Sequence, residues 1–265
     1  ISVTGVQTCA LPILAERFGG SAWIAGSYDP ETDTIYHGVG QPYPWIAEMR
    51  GTTPKKEGFD NSALYTDATL AIDPKSGKMK WHFQHLENDT LDLDYAYERI
   101  LVDLPIAGKK RKAVVTTGKL AIVEVLDRTN GQFLWAKETA FQNVVKSIDP
   151  KTGVKTINDA AMPHIGKTTF NCPADPGARG WTSTAYSPKT QMLYLPMTEY
   201  CSNTTPTRSS KRLASRFATT RARSSASRKL ALMSTARACD SRAGCVARSS
   251  RRARRGSTPS THATL

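Results

Sequence analysis

No stretch of this 265-residue chain approaches the ~18 consecutive apolar residues that a membrane-spanning helix needs. Its five cysteines include no Cys-x-x-Cys pair and no Cys-x-x-Cys-His, which argues against a zinc ribbon and against covalently attached haem. His37, His82, His85 and His164 fall at no metal-ligand spacing and read as structural. Residues 1–13 lack the basic start and long apolar run of a secretory leader. They resemble the conceptual translation of a sequencing adapter, and we set them apart from the fold. Acidic residues are nearly missing from the last 59 positions. There 15 Lys+Arg face the single Asp240, a net of +14, and Phe217 is the only aromatic. Residues 14–206 carry 21 Lys+Arg and 22 Asp+Glu, a net of −1. The overall charge of +13 is therefore no property of the foldable part, which gives no reason to expect a nucleic-acid partner. Three readings fit residues 207–265: a disordered basic arm, a solvated linker, or a stretch read in a shifted frame. The abrupt change after Pro206, where the repeat described next breaks off, favours the shifted frame.

What is present is a repeat. Asp-x-x-(Ser/Asn)-Gly-x-x-x-Trp occurs as Asp73, Ser76, Gly77, Trp81 and again as Asp127, Asn130, Gly131, Trp135, with a period of 54 residues. Within each copy the Asp-to-Gly stretch reverses one strand into the next, Gly supplying φ > 0. The Trp then offers a large apolar face to the neighbouring unit. A second signature, Tyr28-Asp29-Pro30 with Tyr36 and Tyr186-Ser187-Pro188 with Tyr194, recurs 158 residues on, close to three such periods. A period of this size predicts sheets stacked around an axis.

Strands are expected at 34–39, 68–72, 78–84, 113–117, 121–126, 132–136 and 192–196, the last pairing near 182–186. Asp149-Pro150-Lys151-Thr152-Gly153 repeats the turn, but Ile157 stands where Trp is due, so this stretch reads as an insertion and not a full unit. The proline-rich stretches 41–54 and 173–180 read as loops at one end of the strands, where sites gather. The credible chain holds three to four units, too few to close a ring of four-stranded sheets. The expected class is all-β, a partial propeller.

Gly20-Ser21-Ala22-Trp23, Tyr28-Asp29-Pro30, the run from Gly38 through Gln41 to Trp45, Asn88-Asp89-Thr90-Leu91-Asp92, Leu126-Asp127-Arg128 and Asn171-Cys172-Pro173 together resemble the alcohol dehydrogenases that use pyrroloquinoline quinone (PQQ). The likeness covers about residues 19–206. It implies an eight-bladed propeller with the quinone and Ca²⁺ on its axis. It also implies a small alcohol as substrate, a cytochrome or membrane quinone as electron acceptor, and a periplasmic location. By the same resemblance Asp92 is the catalytic base and Asp89 its neighbouring carboxylate, a carboxylate being what takes the alcohol proton. Trp23 is the flat platform under the quinone, with Ser21 and Trp181 also at the cofactor. Lys119 is the cation on the quinone oxygens, where it offsets developing negative charge. Gln41 and Asp92 are the metal ligands. Cys172 and Cys201 correspond to a disulfide of the family.

The resemblance is imperfect. Leu91 replaces a Trp, Gln41 replaces an Asn with one methylene fewer, and Gly180 replaces an Asn that contacts the cofactor. On an extended strand, Asp92 and Asp94 would share a face and Asp89 would point away. The expected function is alcohol oxidation by hydride transfer to PQQ, in a fragment inactive by itself. The alternative is a non-catalytic propeller scaffold of the outer-membrane assembly type.

Overall fold

The computed structural model describes residues 18–51, 62–207, 217–220 and 262–264. The adapter-like stretch at 1–13, the far end of the loop expected at 41–54, and most of the basic segment lie outside these residues.

The first half contains β1 (Phe18–Gly19), β2 (Ser27–Asp29), β3 (Thr34–Gly38), β4 (Pro42–Tyr43), a one-turn helix α1 (Ala47–Arg50), β5 (Ala68–Ile72) and β6 (Met79–Gln84). β2, β3, β5 and β6 form one antiparallel four-stranded sheet in that order, and β1 pairs with β4 beside it. A second four-stranded meander follows: β7 (Ile100–Ile106), β8 (Lys109–Thr117), β9 (Ile122–Asp127) and β10 (Phe133–Glu138). β11 (Val145–Ile148) and β12 (Lys155–Ile157) make a separate hairpin. Next come β13 (Thr169–Asn171), β14 (Ala185–Ser187), β15 (Met192–Tyr194), β16 (Ser202–Pro206), β17 (Phe217–Thr220) and β18 (His262–Thr264), in two three-stranded sheets ordered β13-β16-β17 and β14-β15-β18.

The repeated turns close alike. Asp73, Asp127 and Asp149 each accept backbone N–H bonds from the residues that follow, and Gly77, Gly131 and Gly153 adopt φ of 68°, 78° and 75°. Each Gly N–H returns to the carbonyl of its Asp at 2.8–2.9 Å. The second signature keeps its register too, since Ser27 faces Tyr36 in the first sheet and Ala185 faces Tyr194 in a later one. The 158-residue spacing does not span three equal units, however. One four-stranded sheet lies between the copies, and the β11–β12 hairpin and β13 take up the remaining length.

β8 and β9 show why the units stack. β9 is buried along its whole length, as is the second half of β8, because both faces are covered. Val114 and Leu126 pack with Phe133 against Trp81 and Phe83 of the first sheet. Val115, Val123 and Val125, facing the other way, pack against Leu193 and Leu195. A sheet apolar on both faces must be sandwiched between two others, which is how propeller blades are arranged. The first two sheets are also pinned by Arg128. Its guanidinium donates to Asp29 (2.8 Å), Asp103 (2.9 Å) and Glu31 (3.1 Å).

Two strands fall in the basic segment, where the sequence suggested none: β17 lies on β16 and β18 on β15. Open sheet edges present unpaired N–H and C=O groups that any extended segment can satisfy, so pairing there needs no alternating pattern.

Candidate functional site

The loop between β6 and β7 carries Asp89, Asp92 and Asp94, and it is not extended. Asp89 is buried and accepts the N–H groups of Leu91 (2.8 Å) and Leu93 (2.7 Å), folding the chain back on itself. That turn leaves Asp92 at φ 62°. Asp89 therefore shapes the loop from within, while Asp92 and Asp94 converge on one cation.

That cation is Lys119, in the turn between β8 and β9. It is buried, not an exposed lysine at a strand end. Its ammonium donates to Asp94 Oδ2 at 2.9 Å, to Asp92 Oδ2 at 3.2 Å and to the Asp92 carbonyl at 2.9 Å. The Lys119 N–H bonds the Asp94 carbonyl at 3.0 Å, so backbone and side chain hold the two segments together. Burial works against the lysine's charge, but Asp94 and then Asp92 outweigh it and hold its pKa above the usual lysine value. Burial pushes Asp92 up to about 8, with Lys119 opposing and Asp94 and Asp89 adding to the rise. Asp92 Oδ1 is buried and has no hydrogen-bond partner.

Gln41 meets Asp94 through its backbone, and Ser21 is tied to the residue before Gln41. The Gln41 N–H donates to Asp94 Oδ1 at 3.1 Å, and the Gly40 N–H donates to the Ser21 carbonyl at 2.9 Å. A Cβ on Gly40 would lie 2.5 Å from Asp94 Oδ1, so only glycine admits that carboxylate there. Trp23 and Trp181 touch each other, ring centroids 4.9 Å apart, and both are exposed, Trp181 by 80%. Trp23 also meets Tyr97 edge-on at 5.7 Å. Lys119, Asp94, Arg179 and Asp92 all act electrostatically on that tyrosine, which links the aromatic pair to the charged cluster. No heavy atom comes within 4 Å of a Cβ built on Gly180, so that position is open.

Three participants were given no role in the sequence reading. Arg179 stacks on Tyr97 at 4.4 Å and bonds Glu98 (2.6 Å) and the Thr117 carbonyl (2.8 Å), bracing the aromatic side. Asp94 is the firmer partner of Lys119, and its place two residues beyond Asp92 was the available signal. Asp67, fully buried, had no signal at all. Cys172 and Cys201 form a disulfide that ties the end of β13 to the residue before β16. Among the described residues, no three His, Cys, Asp or Glu side chains gather at ligand distance of one point. A hard cation here would take much of its coordination from amide and carbonyl oxygens and water.

Residues 14–141 match the family model for the β-propeller domain of glucose/ethanol/alcohol dehydrogenases of the PQQ type. The chain is 38% identical over 178 residues to a quinohemoprotein alcohol dehydrogenase of Comamonas testosteroni, covering 67% of this chain and 24% of that protein. It is 35% identical over 191 residues to the quinoprotein alcohol dehydrogenase PedH of Pseudomonas putida, covering 69% and 31%. The crystal structure of the Comamonas testosteroni enzyme superimposes with a TM-score of 0.65 at 34% identity, over 71% of this chain and 27% of that one. The chain thus spans about a quarter to a third of the length of these relatives.

Proposed function

Since this chain belongs to the PQQ-dependent alcohol dehydrogenase family, we propose that the protein carrying it oxidises a primary alcohol by hydride transfer to PQQ, with Asp92 as the base. Residues 14–206 are its propeller segment. The substrate is a small alcohol, the electron acceptor a cytochrome or membrane quinone, and the compartment the periplasm.

The observation that carries this reading is Asp92 itself. One carboxylate oxygen is fixed by Lys119, and the other is buried without a partner. A buried acceptor left unsatisfied costs about 1–3 kcal/mol, so it suits a donor or cation that arrives with the ligands. The residues fit the cofactors in kind. Trp23 and Trp181 offer exposed aromatic faces for a planar ring system, and Ser21 lies beside them in the sequence run that leads to Trp23. Gln41 and Asp92 offer hard oxygen donors for Ca²⁺. When bound, the quinone supplies the hydride acceptor and the cation polarises it. This chain's own residues do the rest. Lys119 is held positive by two carboxylates and places that charge where quinone oxygens gain electron density. Asp92 Oδ1 accepts the alcohol proton. Asp89 keeps the loop folded so that Asp92 stays aimed. A scaffold has no need to bury an ion pair beside exposed indoles.

The test is Asp92→Asn in the full-length enzyme loaded with PQQ and Ca²⁺. Dye-linked alcohol oxidation should fall at least about 100-fold in kcat while the absorbance of the bound quinone is retained. A variant within twofold of wild type would remove Asp92 from the chemistry.

A further inference from the structure

Asp67 presents an unexplained feature of this cluster. It is 0% exposed, and neither of its carboxylate oxygens has a hydrogen-bond partner. Burying an ionised carboxylate alone costs several kcal/mol, so Asp67 stays protonated unless a cation comes beside it. The backbone fixes where it sits. The Asp67 N–H donates to the Gly40 carbonyl at 3.0 Å, and its carbonyl accepts from the His85 N–H at 2.7 Å. Gly40 is the residue that lies against Asp94 Oδ1, and Gln41 follows it. Asp67 therefore borders the segment that carries Gln41, next to Asp94. Its backbone stands at φ 47°, a strained conformation for a non-glycine residue, held by both of those bonds.

Its charged neighbours are mostly of one sign. Burial raises its pKa well above the usual range, and Asp89, Asp94 and Asp92 each raise it further. Arg50 opposes them, but its guanidinium already donates to the Pro44, Trp45 and Asp89 carbonyls and to Asn88. Four carboxylates thus face two cations, Arg50 and Lys119. Three oxygens, both of Asp67 and Oδ1 of Asp92, are buried and unsatisfied. Hard, anionic oxygens in excess suit a hard multivalent cation.

We propose that Asp67 is a further carboxylate of the hard-cation site formed with Asp92 and Gln41, acting on the ion directly or through one water and setting the charge that the site presents. The inference rests on the cation reading of the proposed function and extends it to a residue outside the motifs. Because three carboxylates do not converge on one point, Asp67 supplies charge and at most one donor, and Gln41, carbonyls and water fill the remainder.

Tb³⁺ is the probe, followed in the full chain by tryptophan-sensitised luminescence, with Ca²⁺ as competitor. Wild type should bind saturably, and Asp67→Asn and Asp92→Asn should each weaken binding at least tenfold. Thermal melts add a readout that a purely structural role would not give. Without cation, Asp67→Asn should melt close to wild type, because the buried carboxyl is already neutral and the amide matches its shape. With cation, wild type should gain in melting temperature and the variant should not. If Asp67→Asn fails to melt cooperatively, Asp67→Ala takes its place. Unchanged affinity in the Asp67 variant with loss in Asp92→Asn overturns the inference and leaves the function standing. Loss in the Asp67 variant with none in Asp92→Asn overturns the shared site. No saturable binding by wild type overturns both the inference and the cation reading.

Discussion

His85 is fully enclosed. Its Nε2 meets Thr69 Oγ1 at 2.7 Å, its Nδ1 meets Glu124, and its ring stacks on Tyr95 at 4.5 Å. Lys155 of β12 closes on the other Glu124 oxygen. Burial pulls the imidazole pKa down to about 4, although Glu124 pulls it up. Between that value and the unfolded value near 6.5 the unfolded chain binds a proton that the folded chain refuses. Stability is therefore fully present above pH 6.5 and is lost as pH falls toward 4, by about 3 kcal/mol for this residue. Glu124 has a lowered pKa and loses stability in the same direction. The His85 share has to be isolated with a variant. In urea unfolding, His85→Gln should show a smaller difference in midpoint between pH 4.5 and 7.5 than wild type. NMR should show the native imidazole neutral at pH 5. A native His85 titrating near 6.5 would contradict this.

Among the elements, two glycines in equivalent turns separate backbone strain from packing. Gly77 and Gly131 both hold positive φ, yet a Cβ on Gly77 meets nothing within 4 Å, whereas on Gly131 it would come within 2.6 Å of the Trp81 ring. The Trp of the first copy is thus an assembly device, its indole in the first sheet seating on the turn of the second, whereas Phe133 and Phe83 take that place at Gly153. Gly77→Ala should cost about 1 kcal/mol from φ alone. Gly131→Ala adds overpacking and should cost about 2–4 kcal/mol. Equal losses by calorimetry would show that Trp81 does not hold the sheets together.

This turn was legible because its chemistry is local: an Asp that caps, a Gly that turns, a Trp at fixed distance. The strands around it were legible for the same reason, and Ala68–Ile72 has the expected limits. β7 was not anticipated, although its inward residues Val102 and Leu104 alternate with exposed Asp103 and Pro105. The shape of the Asp89 loop was not legible because it depends on side-chain bonds to its own backbone, which no period encodes. Trp23, Asp92 and Lys119 were singled out through resemblance alone. Asp67 was not legible by either route, since a Thr-Asp-Ala stretch reads as an ordinary turn until its burial is known.

For the molecule as a whole, charge divides where the repeat ends. The folded part has one basic run, Lys109 to Lys112 on β8, and it does not form an open patch. Lys110 pairs with Asp103 (3.1 Å), Arg111 with Asp127 (3.6 Å) and Lys112 with Glu31 (2.8 Å). Exposed pairs of this kind add little stability, but they cancel the field that would attract a polyanion. The 15 Lys+Arg beyond Pro206 face a single acid, so phosphate affinity in this chain should arise there and fall steeply with salt. Because β17 and β18 contribute backbone to two sheets, replacing those 15 residues with Gln is a cleaner test than truncation. The native chain should bind heparin at low ionic strength and elute as salt rises. The Gln-substituted chain should pass through unretained with its melting temperature little changed. Retention of that variant would mean that the propeller segment has an anion-binding face of its own, contrary to the pairing of its basic run.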